Sequence, residues 1–362
     1  MRSVRKRWIL AVAVTALLAA AVRVGPWRVS SPASESAAPT VTTSRPASPG
    51  RIRRASIAAA PRRASVAAVR APASPSPSRA TFAATPGAIP AASGTVTCQP
   101  APANDYATCR YVEPSGDGMT FYLFVPSNYD PTRTYPLVLL LHGGGERARP
   151  TKTAAQNRDL LLNQPYVAVW GPGYPHPDAP DVQRRWPSFV VVPQLLAGQR
   201  WVNVPPATGS YHLAAQPSDP LRMAMEILDV VQARYTGIDP SRRYITGLSL
   251  GGYGTWEAIE RWPGYFAAAA PICGAGDPSQ AARIKDLPIW AFHGSADPTV
   301  PVSGSRDMVH AIEAAGGHAR YTEYSGAGHA VWTNVYALLG RPSPTPGFFN
   351  WLFAQRRAGT AA

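Results

Sequence analysis

The sequence predicts an α/β fold: a mainly parallel sheet with helices on both faces. Three observations carry that reading. From residue 95 onward, short β-rich runs alternate with amphipathic segments. Runs such as Leu137-Val138-Leu139-Leu140-Leu141 are apolar throughout, as suits strands covered on both sides. A Gly-x-Ser-x-Gly sequence at 247–251 falls between a strand pattern and a helix pattern.

Taken in order, Phe121 to Val125 and Leu137 to Leu141 read as strands bounded by Pro and Gly. Phe189 to Val192 is a third, closed by Pro193. Arg243 to Thr246, Phe266 to Ala270, Ile289 to Phe292 and Ala319 to Tyr324 complete the set. Leu221 to Tyr235 reads as a helix because Met225, Leu228, Val231 and Tyr235 recur at three- to four-residue spacing. Gly252 to Trp262, Ser303 to Ala315 and Phe348 to Arg357 are further helices. The Pro-rich stretch within 150–187 reads as a long loop, and no repeat of 20–50 residues is visible.

Charge divides the 362 residues into unlike parts. Residues 1–94 hold 14 of the 35 Lys and Arg but one of the 21 acidic residues, Glu35. Residues 95–362 therefore carry 21 basic and 20 acidic residues and are nearly neutral. A nucleic-acid-binding domain would carry its cations on the folded part, so no nucleic-acid partner is expected. A polytopic membrane protein is excluded as well, since no apolar run of 18 residues occurs beyond the N-terminus.

The start reads as an export signal. Arg2, Arg5, Lys6 and Arg7 precede an apolar stretch from Trp8 to Val22, and Ala19-Ala20-Ala21 offers a cleavage site. Residues 1–22 are thus a signal peptide, or an uncleaved signal anchor, and the protein is secreted or held at the outer face of the membrane. Residues 23–94, rich in Ala, Pro, Ser and Arg, read as a disordered linker. Its cations suit weak contact with an anionic envelope, although a plain solvated spacer accounts for it as well. Residues 95–362 form the folded domain. In an exported chain Cys98 and Cys109 are a candidate disulfide pair, and Cys273 reads as a small buried hydrophobe.

The chemistry centres on Gly247-Leu248-Ser249-Leu250-Gly251-Gly252. A strand-to-helix turn this tight leaves no room for side chains beside the serine, and it presents the hydroxyl at a helix N-terminus. Serine needs a base, and the base an orienting acid. Asp297 follows the strand Ile289 to Phe292, and His329 lies in Gly326-Ala327-Gly328-His329 after the strand ending at Tyr324. His142 and His293 end strands before glycines, where they suit support of the site. His310 sits in a helix pattern, His318 starts a strand, and His176 and His212 precede the serine. The glycine run His142-Gly143-Gly144-Gly145 offers one oxyanion donor, the Gly144 amide or its neighbour Gly143. The Leu250 amide is the other. Trp332 and Trp186 are candidate pocket residues, whereas Trp256 reads as core. No metal motif and no phosphate loop occurs, so the chemistry calls for no cofactor.

These motifs resemble the α/β-hydrolase superfamily. Within it they are similar to bacterial secreted esterases related to the prolyl oligopeptidase-type and polyhydroxybutyrate depolymerase-type hydrolases. The likeness rests on Leu139 to Glu146, Val191 to Gln194, Gly247 to Trp256, His293 to Val302 and Gly328 to Trp332. It implies Ser249 as nucleophile, Asp297 as acid, His329 as base, and a carboxylic ester as substrate, whether small, polysaccharide-linked or polyester. No propeller-like domain precedes the hydrolase part, unlike true prolyl oligopeptidases. Two other readings stay open at this stage: a serine peptidase on the same residues, and a catalytically silent binding module.

Overall fold

The computed structural model describes residues 92–102, 105–172, 181–205, 207–338, 345 and 347–357. The predicted signal segment and nearly all of the linker lie outside these residues. Nine strands form one sheet: β1 Thr95–Gln99, β2 Ala107–Val112, β3 Gly118–Phe124, β4 Tyr135–Leu141, β5 Phe189–Gln194, β6 Ile238–Leu248, β7 Ala268–Ile272, β8 Ile289–Gly294 and β9 Ala319–Tyr324. Their order is β1-β2-β3-β5-β4-β6-β7-β8-β9. The first three strands run antiparallel to their neighbours, and β4 to β9 pair in parallel.

The helices are α1 Ala154–Leu162, α2 Pro165–Ala168, α3 Val182–Arg185, α4 Asp219–Arg234, α5 Leu250–Arg261, α6 Ala281–Ile284, α7 Ser303–Ala314, α8 Trp332–Val335 and α9 Phe348–Ala354. Alternate side chains of one strand enter two separate cores, the signature of a sheet covered on both faces. Leu137, Leu139 and Leu141 pack with Leu228, Trp256 and Met308 from α4, α5 and α7. Val138 and Leu140 pack with Leu161, Val167, Val335 and Phe349 on the opposite side. α4 begins where Ser218 Oγ accepts the Leu221 N–H at 3.2 Å, and it buries Leu221, Met225, Leu228 and Val231.

Several boundaries differ from the sequence reading, each for a local reason. β5 runs through Pro193 to Gln194. Its pairing with β4 ends at Val191, so the missing proline N–H costs no bond on that side. α9 stops at Ala354 because Gln355 turns extended (ψ 141°) and the Arg357 N–H reaches Ser241 O at 2.9 Å. The region 150–187 holds three short helices beside its loop. β1 and β2 were not predicted at all. β1 is an edge strand that alternates exposed and half-buried positions, and it carries little apolar signal. Cys98 and Cys109 sit directly opposite each other in the β1–β2 ladder and are joined by a disulfide.

Two stability predictions follow from these contacts. The disulfide closes a loop across a separation of 11 residues, so the double variant Cys98→Ala/Cys109→Ala should lose about 2–3 kcal/mol in urea unfolding. Unchanged stability would mean that the edge hairpin opens apart from the rest of the sheet. Asp239 joins the start of β6 to the chain after α9. Burial would raise its pKa, but hydrogen bonds from Ser241 and Arg242, with the Arg242 charge, hold it down to about 2. A carboxylate depressed on folding stabilises above its unfolded pKa and loses that contribution as pH falls through the folded value. Wild-type stability should therefore drop by about 2 kcal/mol between pH 4 and pH 2 through this group. Asp239→Asn should remove that part of the slope in acid titrations followed by circular dichroism.

Candidate functional site

The site is assembled at the C-terminal ends of β4 and β6 to β9, where open parallel sheets build their crevices. Ser249 joins β6 directly to α5 and adopts φ 55°, ψ −118°, a conformation that L residues rarely hold. Its N–H donates to Ile272 O of β7 at 2.9 Å. Two glycines after it make the turn possible. A Cβ on Gly251 would lie 1.9 Å from Leu141 O, and one on Gly252 would lie 2.4 Å from Ile272 O. The first turn of α5 thus rests backbone to backbone on the ends of β4 and β7.

The structure brings Asp297 and His329 together. His329 Nδ1 lies 2.7 Å from Asp297 Oδ2. The Asp297 carboxylate is fully buried, while the His329 side chain stays 19 % exposed. The other carboxylate oxygen, Oδ1, accepts the N–H groups of Thr299 at 2.8 Å and Val300 at 3.0 Å. Burial would raise the Asp297 pKa, but the His329 bond and these two amides hold it below the usual carboxylate range. Asp297 is therefore ionised at neutral pH. As its acceptor oxygens face Nδ1–H, the imidazole leaves Nε2 as the atom free to take a proton.

Both strand-end histidines are structural. His142 is fully buried, with Nδ1 2.6 Å from Gly143 O and Nε2 accepting the Leu195 N–H at 3.0 Å. Burial lowers its pKa to about 4, so it stays neutral and locks the glycine loop. Its carbonyl also accepts the indole N–H of buried Trp201 at 3.0 Å. His293 is equally buried, bonded to Ser305 Oγ at 2.8 Å and Val300 O at 3.1 Å, with Nε2 3.3 Å from Asp297 Oδ2. It braces the acid from behind, and burial lowers its pKa too.

The glycine loop packs against the residue after Ser249: a Cβ on Gly144 would lie 3.5 Å from the Leu250 side chain at Cδ1. A Cβ on Gly143 would meet the Leu248 side chain at Cδ1, 2.9 Å away, which would have to shift to admit it. Trp332 stands edge-on to the His329 ring with centroids 5.3 Å apart. Trp186 is not at the site, which corrects the sequence reading. It precedes β5, at the opposite end of the sheet, and stacks on Phe353 at 5.1 Å. Phe353 in turn packs against Tyr244 of β6, which pairs with Ala268 at the start of β7. Trp256 is fully buried core.

Among the described residues one group brings three metal-capable atoms within 4.8 Å of one another: Cys273, His293 and Asp297. Each already has protein partners, because Cys273 Sγ donates to His329 O at 3.2 Å and the other two are bonded as above. Sequence reading treated Cys273 as plain packing and missed this contact.

Comparison with known proteins adds context. Residues 189–335 match the dienelactone hydrolase family. A solved thermostable esterase is 37% identical, with a TM-score of 0.55, over 70% of this chain and 64% of its own. The bifunctional acetylxylan esterase/xylanase XynS20E of Neocallimastix patriciarum is 24% identical over 187 residues, which is 52% of this chain and 22% of that protein. A solved acylaminoacyl peptidase is 13% identical, with a TM-score of 0.48, over 71% of this chain and 43% of its own. This chain thus spans just under two thirds of the esterase and about a fifth of the bifunctional enzyme.

The glycine contacts make a sharp prediction. Gly251→Ala should cost several kcal/mol or prevent folding, because the clash is with the β4 backbone and no rotamer relieves it. Gly145→Ala meets nothing within 4 Å and should leave the melting temperature within about 2 °C of wild type. Equal melting temperatures for the two variants would refute the backbone-contact account.

Proposed function

We propose that this chain, which has the α/β-hydrolase fold, is a secreted serine hydrolase that cleaves carboxylic esters through an acyl-enzyme. The observation that carries the reading is the strained serine turn standing at the sheet end that also holds the Asp297–His329 pair. The 37% identical thermostable esterase supports ester chemistry. The acetylxylan esterase relative supports an acyl group carried on a carbohydrate oxygen as the natural substrate class.

In this mechanism Ser249 Oγ attacks the ester carbonyl as His329 Nε2 takes its proton. Asp297 holds Nδ1–H and stabilises the imidazolium that forms. The carbonyl oxygen becomes an oxyanion and is met by the amides of Leu250 and Gly144. Collapse expels the alcohol, protonated by His329, and leaves the acyl group on Ser249. Water, deprotonated by the same imidazole, then releases the acid. The proton taken from Ser249 leaves on the alcohol and the one taken from water restores the serine hydroxyl, so one cycle consumes an ester and a water. Trp332, edge-on to the imidazole, forms one side of the approach to it.

Export is supported by the basic and apolar N-terminal segment together with the Cys98–Cys109 disulfide, which persists in an oxidising compartment.

The full-length protein should hydrolyse p-nitrophenyl acetate and butyrate without added metal. Ser249→Ala and Asp297→Asn should each lower kcat by about three orders of magnitude or more, with melting temperatures near wild type. Acetate release from acetylated xylan checks the substrate class. Retained turnover in Ser249→Ala would remove the nucleophile assignment. Cleavage of N-acyl aminoacyl p-nitroanilides in preference to esters would move the reading to a peptidase.

A further inference from the structure

Cys273 follows β7 and is fully buried, with φ 48°. It is one of three non-glycine residues of positive φ among the described residues, with Ser249 and Ala337. Such a conformation is strained for a residue with a Cβ and persists where surrounding contacts over-determine it. Besides its packing in the core, several of its contacts reach the site. The residue before it, Ile272, takes the N–H of Ser249, and the Cys273 N–H itself bonds Phe292 O of β8 at 2.8 Å. The sulphur donates to the carbonyl of His329 at 3.2 Å. It also lies against the Asp297 carboxylate, and the amides of Gly294 and Val331 face it. One side chain therefore touches the loop of the acid and the loop of the base from a backbone that anchors the nucleophile.

We propose that Cys273 is a positioning residue, whose thiol fixes the His329 loop against Asp297 so that the 2.7 Å bond between them is held in register with Ser249. This rests on the esterase reading for its consequence in turnover, though not for its geometry. The role needs the neutral thiol, since a thiolate could not donate to the His329 carbonyl. Burial and the neighbouring Asp297 both push the thiol's pKa up and keep the proton on sulphur. A serine at this position keeps a short donor, whereas alanine and glycine remove it. Glycine also suits the positive φ and so separates loss of the donor from backbone strain.

The test uses full-length wild type, Cys273→Ala, Cys273→Gly and Cys273→Ser. Steady-state kinetics on p-nitrophenyl butyrate are combined with the low-field proton resonance of the His329 Nδ1–H, assigned by its absence in His329→Ala. Both sulphur-free variants should lose about five-fold in kcat with KM within about two-fold of wild type, and their low-field resonance should broaden or vanish. Cys273→Ser should recover both. The proposal is overturned if either folded sulphur-free variant keeps wild-type kcat and resonance, whatever its melting temperature, or if serine does no better than alanine. A wild type without esterase turnover would sink the esterase reading alone, because the resonance is read without substrate and still decides the role of Cys273.

Discussion

Everything at the site depends on one close approach, that of the first turn of α5 to the ends of β4 and β7. Gly251 and Gly252 have no Cβ, so their backbones lie against Leu141 O and Ile272 O at distances that no other residue allows. That contact forces the chain to reverse within a single residue, and Ser249 takes up the strain with its φ of 55°. The strain of about 1–3 kcal/mol is offset by packing that buries α5 residues such as Tyr253, Trp256 and Ile259. A strand, a strained serine and a helix N-terminus follow as one unit. In the proposed mechanism, the partial positive end of α5 points where negative charge develops during acyl transfer.

The electrostatics around this unit separate three histidines by environment. His142, His293 and His329 all lie at or beyond strand ends, yet only His329 keeps contact with solvent. Desolvation holds the other two neutral, and each uses both ring nitrogens on protein atoms. They act as rigid struts, one under the glycine loop and one behind Asp297. The carboxylate itself is saturated by two amides and the imidazole, so its charge survives burial. An acid held in this way keeps the imidazole's tautomer and direction without being protonated itself.

Much of this was legible in the sequence because it depends on glycines and on order along the chain. The Gly-x-Ser-x-Gly turn, the acid after β8 and the histidine after β9 are each a local pattern beside a strong strand signal. Parallel strands gave continuous apolar runs, and β9 was read to the residue. What the sequence concealed was of two kinds. β1 and β2 alternate over only a few residues, with Val96 and Cys98, then Cys109 and Tyr111, on the buried side, and two apolar positions per strand make too brief a pattern to stand out. Trp186 was drawn to the site by its residue type, while its partners Phe349 and Phe353 lie far along the chain on α9. Pro193 looked like a terminator because pairing on one side only, which makes it tolerable, is a tertiary fact.

Cys273 shows the limit of residue-type reasoning most clearly. A lone buried cysteine is usually filling space, and nothing in its neighbours along the chain argues otherwise. Its significance comes from the order of the sheet. Ser249 follows β6, while Asp297 and His329 follow β8 and β9, so β7 lies between the strand that carries Ser249 and those that carry the other two. A side chain at the end of β7 can reach both loops, and that of Cys273 does. A positive φ directs the residue after Ile272 that way, and a short donor is needed to reach a carbonyl without crowding Asp297. Cysteine meets both conditions because its single Sγ is small enough to fit among Gly294, Asp297, His329 and Val331. The same strand order that puts Ser249 after β6 thus leaves the residue after β7 beside the loops that carry Asp297 and His329.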